Sequence, residues 1–160
     1  DNGGPTRELT SSNAPLRGEK GQLYEGGIRV PLMISWKGNL PAGKVIDTPV
    51  SSMDASATAL DLASAAPPRA ALDGVSLTPL LTGKTAAAPH EVLFWRVGKS
   101  NALRHGDWKL VRHRGQWQLY DLAHDVSETT DLAQRHPEKV HALEARWNEW
   151  NQQQIEPLWK

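Results

Sequence analysis

Four short runs of apolar and aromatic residues, between residues 91 and 122, most constrain the fold of this chain. Short turn-forming segments separate them, at Gly98-Lys99-Ser100, Gly106-Asp107 and Arg114-Gly115-Gln116. Runs of this length with glycine-containing turns are typical of an antiparallel meander. We therefore predict three or four antiparallel strands, within Glu91–Val97, Ala102–His105, Trp108–His113 and Trp117–Leu122.

A helix is predicted directly after the meander, over about residues 137–153. Pro137 suits the first position of a helix, and Glu138 suits its first turn. The apolar residues of this segment recur at spacings of three, four and three, which places them in one stripe: Val140, Leu143, Trp147 and Trp150. We expect this stripe to pack on one face of the meander.

The first part of the chain carries weaker patterns. Residues 1–27 are rich in glycine and polar residues and predict a long loop, and long loops are often functional. Residues 28–36 are mostly apolar and predict a buried strand, irregular or at a sheet edge because of Pro31. If its neighbours are absent, such a strand leaves an exposed edge, so we also expect self-association through it.

Two helical segments are predicted next. Ser52–Ala65 has helical spacing, with Ser52 as its cap and Pro67-Pro68 as its stop. Leu77–Leu81 is long enough for one helical turn. The sequence Lys-Thr-Ala-Ala-Ala-Pro at 84–89 is the best candidate for a linker between two parts of the chain.

Composition excludes several classes of function. The 160 residues contain 18 Lys and Arg against 18 Asp and Glu, so there is no basic surplus for general nucleic-acid binding. The absence of cysteine excludes disulfide scaffolds, thiolate zinc sites and cysteine nucleophiles within these residues. No apolar run approaches the roughly 20 residues of a membrane span.

The opening residues are a candidate metal site. Asp1 and Asn2 offer a carboxylate and an amide oxygen, which are ligands that Ca²⁺ or Mg²⁺ takes in proteins. Two ligands are too few for Ca²⁺, so the others would come from elsewhere. Taken alone, Asp1-Asn2-Gly3-Gly4 is more typical of an ordinary turn than of a metal site.

Lys20 is a candidate anion-binding residue because glycines lie close on both sides of it, at Gly18 and Gly21. A lysine in such a loop can present its charge to sulfate or phosphate, although a solvated surface lysine fits the same pattern. The six histidines show no metal-binding spacing. The tryptophans predict packing, with a carbohydrate-stacking role for Trp95 and Trp117 as the alternative.

Together these segments resemble type I sulfatases, the formylglycine-dependent sulfate ester hydrolases of the alkaline phosphatase superfamily. The resemblance lies in Asp1-Asn2-Gly3-Gly4-Pro5, in residues 13–21 (Asn-Ala-Pro-Leu-Arg-Gly-Glu-Lys-Gly), in residues 24–31 (Tyr-Glu-Gly-Gly-Ile-Arg-Val-Pro), in residues 104–111 (Arg-His-Gly-Asp-Trp-Lys-Leu-Val) and in Leu119-Tyr120-Asp121-Leu122. It covers nearly the whole chain.

The resemblance implies an α/β fold: residues 1–85 would be the C-terminal part of the catalytic domain, and residues 86–160 a subdomain of antiparallel sheet plus helix. It implies that Asp1 and Asn2 are two calcium ligands and that Lys20 contacts the sulfate group of a sulfated small molecule or glycan. It implies a formylglycine nucleophile upstream of this chain and export to the periplasm or beyond.

The sequence also departs from the family. Glu19 replaces a usual glycine beside Lys20, where its charge would lower the effective charge of the lysine. Lys37 replaces a usual proline. The nucleophile motif, Cys or Ser followed by x-Pro-x-Arg, is absent, so we expect a C-terminal fragment that is inactive alone. The alternatives are a phosphodiesterase or phosphonate hydrolase of the same superfamily, and a non-catalytic glycan-binding module.

Overall fold

The structure is a computed structural model, and it describes residues 2–8, 10–66 and 71–156. Its contacts divide the chain into two compact units: Asp1–Pro31 together with Val92–Lys160, and Leu32–Glu91. Residues 1–31 thus group with the C-terminal sheet rather than with residues 32–85. The predicted division into residues 1–85 and 86–160 concerns the domains of a longer protein, and it stays a prediction.

The first unit contains the predicted meander as one four-stranded antiparallel sheet in the order β1-β2-β3-β4. Each hairpin turn contains glycine with positive φ, at Gly98, Gly106 and Gly115, a conformation that favours glycine. The register pairs Leu103 with Leu110 and Leu110 with Leu119. The strands are β1 Val92–Val97, β2 Ser100–His105, β3 Trp108–His113 and β4 Gln116–Asp121.

The C-terminal helix packs on one face of this sheet, as the apolar stripe predicts. It spans Pro137–Gln152 and is the fourth helix, α4. Its Leu143 and Trp147 are buried against three leucines of the sheet. Trp150 stacks on Phe94 with ring centroids 4.9 Å apart. The face is formed by the sheet residues Leu103, Leu110 and Leu119.

The N-terminal loop region covers the opposite face of the sheet. Leu23 and Tyr24 are buried there against Ala102, Val111 and Tyr120. A single helical turn, α1 Glu25–Ile28, follows them. The C-terminal part of the long loop that the sequence predicts at residues 1–27 is therefore packed on the sheet.

The second unit is held together around the buried carboxylate of Asp54. The helix α2 spans Asp54–Leu62, and α3 spans Thr78–Leu81. The Asp54 carboxylate accepts hydrogen bonds from the backbone N–H groups of Ser51 (2.8 Å) and Val75 (2.9 Å), and it lies 2.8 Å from Nε2 of His90. One carboxylate thus ties the start of α2 to two distant segments.

The second unit corrects two details of the sequence prediction and confirms a third. The helix is shorter than the predicted 52–65, and Ser52 does not cap it: Ser51 Oγ accepts from the N–H of Met53, and Asp54 reaches back to Ser51. The predicted stop at 67–68 lies outside the described residues. The single turn predicted near Leu77–Leu81 is confirmed.

The prediction of a buried strand at residues 28–36 is wrong. Ile28 ends α1, and residues 29–36 form no strand. Their apolar side chains are exposed, Leu32 by 53% and Met33 by 92%. A strand needs a neighbour for its backbone hydrogen bonds, and the four described strands pair consecutively with one another. None of the described helices is long and apolar enough to span a membrane.

Candidate functional site

The structure brings the two predicted site loops together. The backbone N–H of Lys20 donates to the carbonyl of Gly4 at 3.2 Å. The Asn13 side chain links the same loops: its amide nitrogen donates to the carbonyls of Gly4 (2.9 Å) and Gly18 (3.1 Å), and its oxygen accepts from the N–H of Gly4. The side chains of Asn2 and Lys20 are exposed beside this junction. Asp1 lies outside the described residues.

Close backbone contact explains the glycines of these loops. The N–H of Gly3 donates to the carbonyl of Gly27 at 3.0 Å. A Cβ atom on Gly3 would lie 1.8 Å from the carbonyl oxygen of Gly26, and one on Gly27 would lie 2.0 Å from that of Gln22. No side chain fits at these distances. The opening loop is therefore seated directly on α1.

The carboxylate of Glu19, the residue before Lys20, is bonded to Thr6 and Arg7. Its Oε2 accepts hydrogen bonds from Thr6 Oγ1 (2.7 Å) and from the N–H of Arg7 (3.1 Å), and its Oε1 lies 2.7 Å from Arg7 Nε. The hydrogen bond from Thr6 and the bond and charge of Arg7 lower the pKa of the Glu19 carboxyl. Glu19 therefore holds the turn at residues 5–8 and has its charge paired with Arg7.

Arg17 anchors the same loop region to the sheet, a role that the sequence did not reveal. Its Nη1 donates to the hydroxyl of Tyr120 and to the carbonyl of Glu128, both at 2.9 Å. Its guanidinium lies 4.0 Å from the ring centroid of Tyr24, within the range of a cation–π interaction. Burial raises the pKa of both tyrosines, so they are protonated hydrogen-bonding groups at neutral pH.

Three buried charged side chains lie beneath the loops: Glu25 (2% exposed), Lys109 (0%) and Glu128 (0%). Lys109 Nζ lies 2.7 Å from Glu25 Oε1 and 2.8 Å from Glu128 Oε1. The N–H of Glu25 donates to Glu128 Oε2 at 2.6 Å. We call this set the buried triad. Strand alternation, which places Lys109 on the same face as Val111, was the one sequence signal for it.

The electrostatics of the triad are strained at Glu128. Burial raises the pKa of its carboxyl, against the lowering effect of the Lys109 ammonium. Glu128 Oε1 lies 2.8 Å from the Lys109 ammonium, and no other described group donates to it. The backbone of Glu128 has φ of 53°, the left-handed region that side chains other than glycine seldom adopt. Such cost persists only where surrounding contacts hold it.

The described residues do not form a metal site by themselves. No three His, Cys, Asp or Glu side chains of that part of the chain are placed to hold a metal ion. Asn2, one of the two predicted calcium ligands, is exposed at the loop junction. Oxygen donors of this type, with the carboxylate of Asp1, have the chemistry that a hard cation requires, but further ligands are needed.

Two of the histidines, and the tryptophans with a carbohydrate-stacking role as the alternative, have partners within the structure. His90 pairs with Asp54, and His124 Nδ1 lies 2.9 Å from Asp121, whose pKa its hydrogen bond lowers. Trp117 Nε1 donates to Glu144 at 2.6 Å, and Trp95 packs against the cluster around Tyr24. Both tryptophans serve packing in this structure.

A family model described as "N-sulphoglucosamine sulphohydrolase, C-terminal" matches residues 18–154. Human arylsulfatase D is 36% identical over 141 residues, which are 87% of this chain and 22% of that protein. The uncharacterized sulfatase YdeN of Escherichia coli (strain K12) is 36% identical over 142 residues, 84% of this chain and 24% of that protein.

The fold also matches a solved structure. The crystal structure of Ps i-CgsB superposes with a TM-score of 0.86 at 30% identity, covering 99% of this chain and 36% of that one. The same protein is known in complex with k-i-k-neocarrahexaose. The chain thus spans about a quarter of the length of these curated relatives and about a third of the solved one. From the matched residues and the shared fold, the chain belongs to the sulfatase family, in the region that family's C-terminal model describes.

Proposed function

We propose that the complete protein containing this chain hydrolyses sulfate esters, releasing an alcohol and inorganic sulfate. The observation that carries this proposal is the junction of the two site loops. There the backbone segments that carry an exposed lysine, Lys20, and an exposed amide, Asn2, are joined by backbone hydrogen bonds and by Asn13. Such a junction suits the tetrahedral anionic group of a sulfate ester, because a placed cation stabilises charge on its oxygens.

In this proposal Lys20 binds the sulfate group. Its ammonium is a compact charge on a long side chain, and it suits an anion that is approached from one side. The clamp between Glu19 and Arg7 fixes the preceding turn, so the backbone that carries Lys20 is preorganised. Preorganised charge is worth more than mobile charge because it costs no reorganisation in the transition state.

Asp1 and Asn2 would hold a calcium ion together with ligands from outside these residues. When bound, the ion would supply further positive charge to the sulfate oxygens. The role of this chain is to seat that loop: Gly3 is hydrogen-bonded to Gly27 and closely packed on Gly26. The nucleophile is also expected outside this chain, because residues 1–160 contain no cysteine and no Ser-x-Pro-x-Arg.

The substrate class is proposed from chemistry and from the relatives. A sulfated small molecule or a sulfated glycan presents the group that Lys20 would bind. Human arylsulfatase D and the k-i-k-neocarrahexaose complex of Ps i-CgsB are consistent with the two sizes of substrate.

The test compares two proteins with an aryl sulfate and calcium. The product of the complete reading frame is expected to release sulfate, and the 160-residue chain alone is expected to release none. Turnover by the chain alone would overturn the inactive-fragment proposal. Hydrolysis of phosphate or phosphonate esters in preference to sulfate esters by the complete protein would overturn the proposed reaction. Saturable glycan binding without turnover would make it a binding protein.

A further inference from the structure

We propose that Lys109 is a positioning residue for the sulfate-binding loops, although it lies in the C-terminal sheet and carries none of the expected site chemistry. Through Glu25 it fixes the two glycines of α1 on which both loops are built. The sulfate-binding part of this inference rests on the proposed function. The C-terminal sheet is then the base of the site rather than a separate appendage.

Lys109 occupies an interior position in the sheet. It lies in β3, paired with Arg104 of β2 and Tyr120 of β4. Its side chain is fully buried. A buried ammonium is strongly unfavourable without an opposite charge, so this side chain requires carboxylates from outside the sheet.

Two glutamates from outside the sheet supply those carboxylates. Glu25 and Glu128 both reach Lys109 Nζ, and Glu128 also accepts the backbone N–H of Glu25 at 2.6 Å. Glu25 is thus held through its side chain and its main chain. Arg29 and Arg104 add longer charge contacts to Glu25 Oε2, at 3.6 and 3.9 Å. The first residue of α1 therefore has little freedom to move.

A hydrogen bond and close backbone packing connect α1, which begins at Glu25, to the loop that carries Lys20. The next residue, Gly26, donates its N–H to the carbonyl of Arg17 at 2.7 Å. A Cβ on Gly26 would lie 2.5 Å from the carbonyl oxygen of Gly18. Gly27 approaches the backbone of Glu19 as closely, with a Cβ at 2.6 Å from its carbonyl oxygen. Residues 17–19 are therefore packed so closely on α1 that neither Gly26 nor Gly27 leaves room for a side chain.

The loop that carries Asn2 is also attached to α1. The hydrogen bond from Gly3 to Gly27 and the close contact between Gly3 and Gly26 attach this loop to the same two glycines. A displacement of α1 must therefore move both loops together. The charge of Lys109 sets where α1 lies.

The experiment uses the complete protein with two variants of neighbouring residues in β3. Lys109→Met removes the ammonium but keeps a long apolar side chain. Leu110→Ala is the matched control, because Leu110 is fully buried on the opposite face against α4. The readouts are KM and kcat for an aryl sulfate, and hydrogen exchange of the N–H groups of Gly3 and Lys20, compared with that of Leu143.

We expect Lys109→Met to reduce kcat/KM by about tenfold to a hundredfold more than Leu110→Ala, at a similar loss of unfolding temperature. We expect faster exchange at Gly3 and Lys20 in Lys109→Met, and at Leu143 in Leu110→Ala. Lys109→Arg, which keeps the charge, should recover part of the loss. If Lys109→Met does not fold, Glu25→Gln provides the same comparison.

The outcomes separate the two proposals. Wild-type protein that does not release sulfate contradicts the proposed function, and the exchange data still test the coupling. Active wild-type protein in which the Lys109 variants and Leu110→Ala give the same kinetics and exchange at Gly3 and Lys20 overturns the positioning role.

Discussion

Lys109 Nζ lies 2.7 Å from Oε1 of Glu25, a residue 84 positions earlier in the chain. The contact joins two segments that resemble sulfatase motifs, the one around Glu25-Gly26-Gly27 and the one around Asp107-Trp108-Lys109. Neither residue is expected to touch substrate. A buried charge contact therefore links two of the motifs on which the resemblance rests.

Gly27→Ala is expected to disrupt the site loops. The new Cβ would lie 2.0 Å from the carbonyl oxygen of Gln22, so α1 or the loop must shift. Overpacking of this kind costs about 1–3 kcal/mol or more. Thermal unfolding measures the loss. Gly21→Ala is the control, since Gly21 has positive φ but open space around it, and it should cost less. Equal losses in the two variants would contradict the close-packing account.

Glu128→Gln is expected to change the pH dependence of stability. Burial raises the pKa of Glu128 above its ordinary value of 4.5, so the folded state holds this proton more tightly than the unfolded chain. The contribution of Glu128 to stability is therefore largest below pH 4.5 and decreases as pH rises through the folded pKa.

The measurement is urea unfolding of wild type and Glu128→Gln from about pH 4 upward. The wild-type free energy of unfolding minus that of the variant should fall with rising pH and then level off. Glu149→Gln, on the exposed face of α4, should give a nearly constant difference. A difference for Glu128→Gln that grows with pH would show that pairing with Lys109 outweighs burial.

Trp147→Ala is expected to destabilise the first unit by about 3–5 kcal/mol, the usual cost of removing a buried aromatic side chain. Trp147 is 5% exposed and contacts Trp117 edge-on, with ring centroids 6.1 Å apart. Glu149→Ala on the same helix should change stability by less than about 0.5 kcal/mol. Unfolding of both variants by guanidinium measures this, and a cost for Trp147→Ala below about 1 kcal/mol would contradict the packing of α4 on the sheet.

Self-association of the isolated 160-residue chain remains a prediction. Leu32, Met33, Ile34 and Trp36 expose 43–92% of their surface in one short segment, and clustered exposed apolar residues favour association. Light scattering should show species larger than a monomer. Met33→Lys should reduce them more than Val97→Lys, which changes a residue exposed by 56% outside this segment. A monodisperse monomer at all concentrations would contradict the prediction.

Lys20→Ala in the complete protein is expected to lower kcat for an aryl sulfate by about a hundredfold to a thousandfold, the cost of losing one preorganised charge stabiliser. The exposed position of Lys20 predicts little change in unfolding temperature. Lys99→Ala, in the exposed β1–β2 turn, is the control and should retain activity. Unchanged kinetics in Lys20→Ala would remove this residue from the site.

Local patterns predicted the C-terminal half of the fold well. The apolar stripe that contains Trp147 predicts a helix packed on an apolar surface, and the glycine turns predict hairpins. Both predictions succeed because each signal depends on residues that are close together in sequence. The segment at residues 28–36 misled because an apolar run defines a strand only when a neighbour supplies hydrogen bonds. Its composition says nothing about that neighbour.

The site followed the same division. The resemblance predicts site roles for Lys20 and Asn2, which stay predictions, and the structure shows that their loops meet. Arg17 and Glu128 were missed because their roles depend on partners about a hundred residues distant. Glu19 was expected to act on its neighbour in sequence, but its carboxylate is engaged with Thr6 and Arg7. Long-range pairing of charges is the information that local patterns lack.

We propose that this chain is part of a sulfate ester hydrolase. The most direct measurement is sulfate release from an aryl sulfate, with calcium, by the product of the complete reading frame that contains residues 1–160. We expect release of sulfate and alcohol in equal amounts, about a hundredfold to a thousandfold slower in Lys20→Ala and unchanged in Lys99→Ala. Absence of sulfate release by a folded complete protein would contradict it.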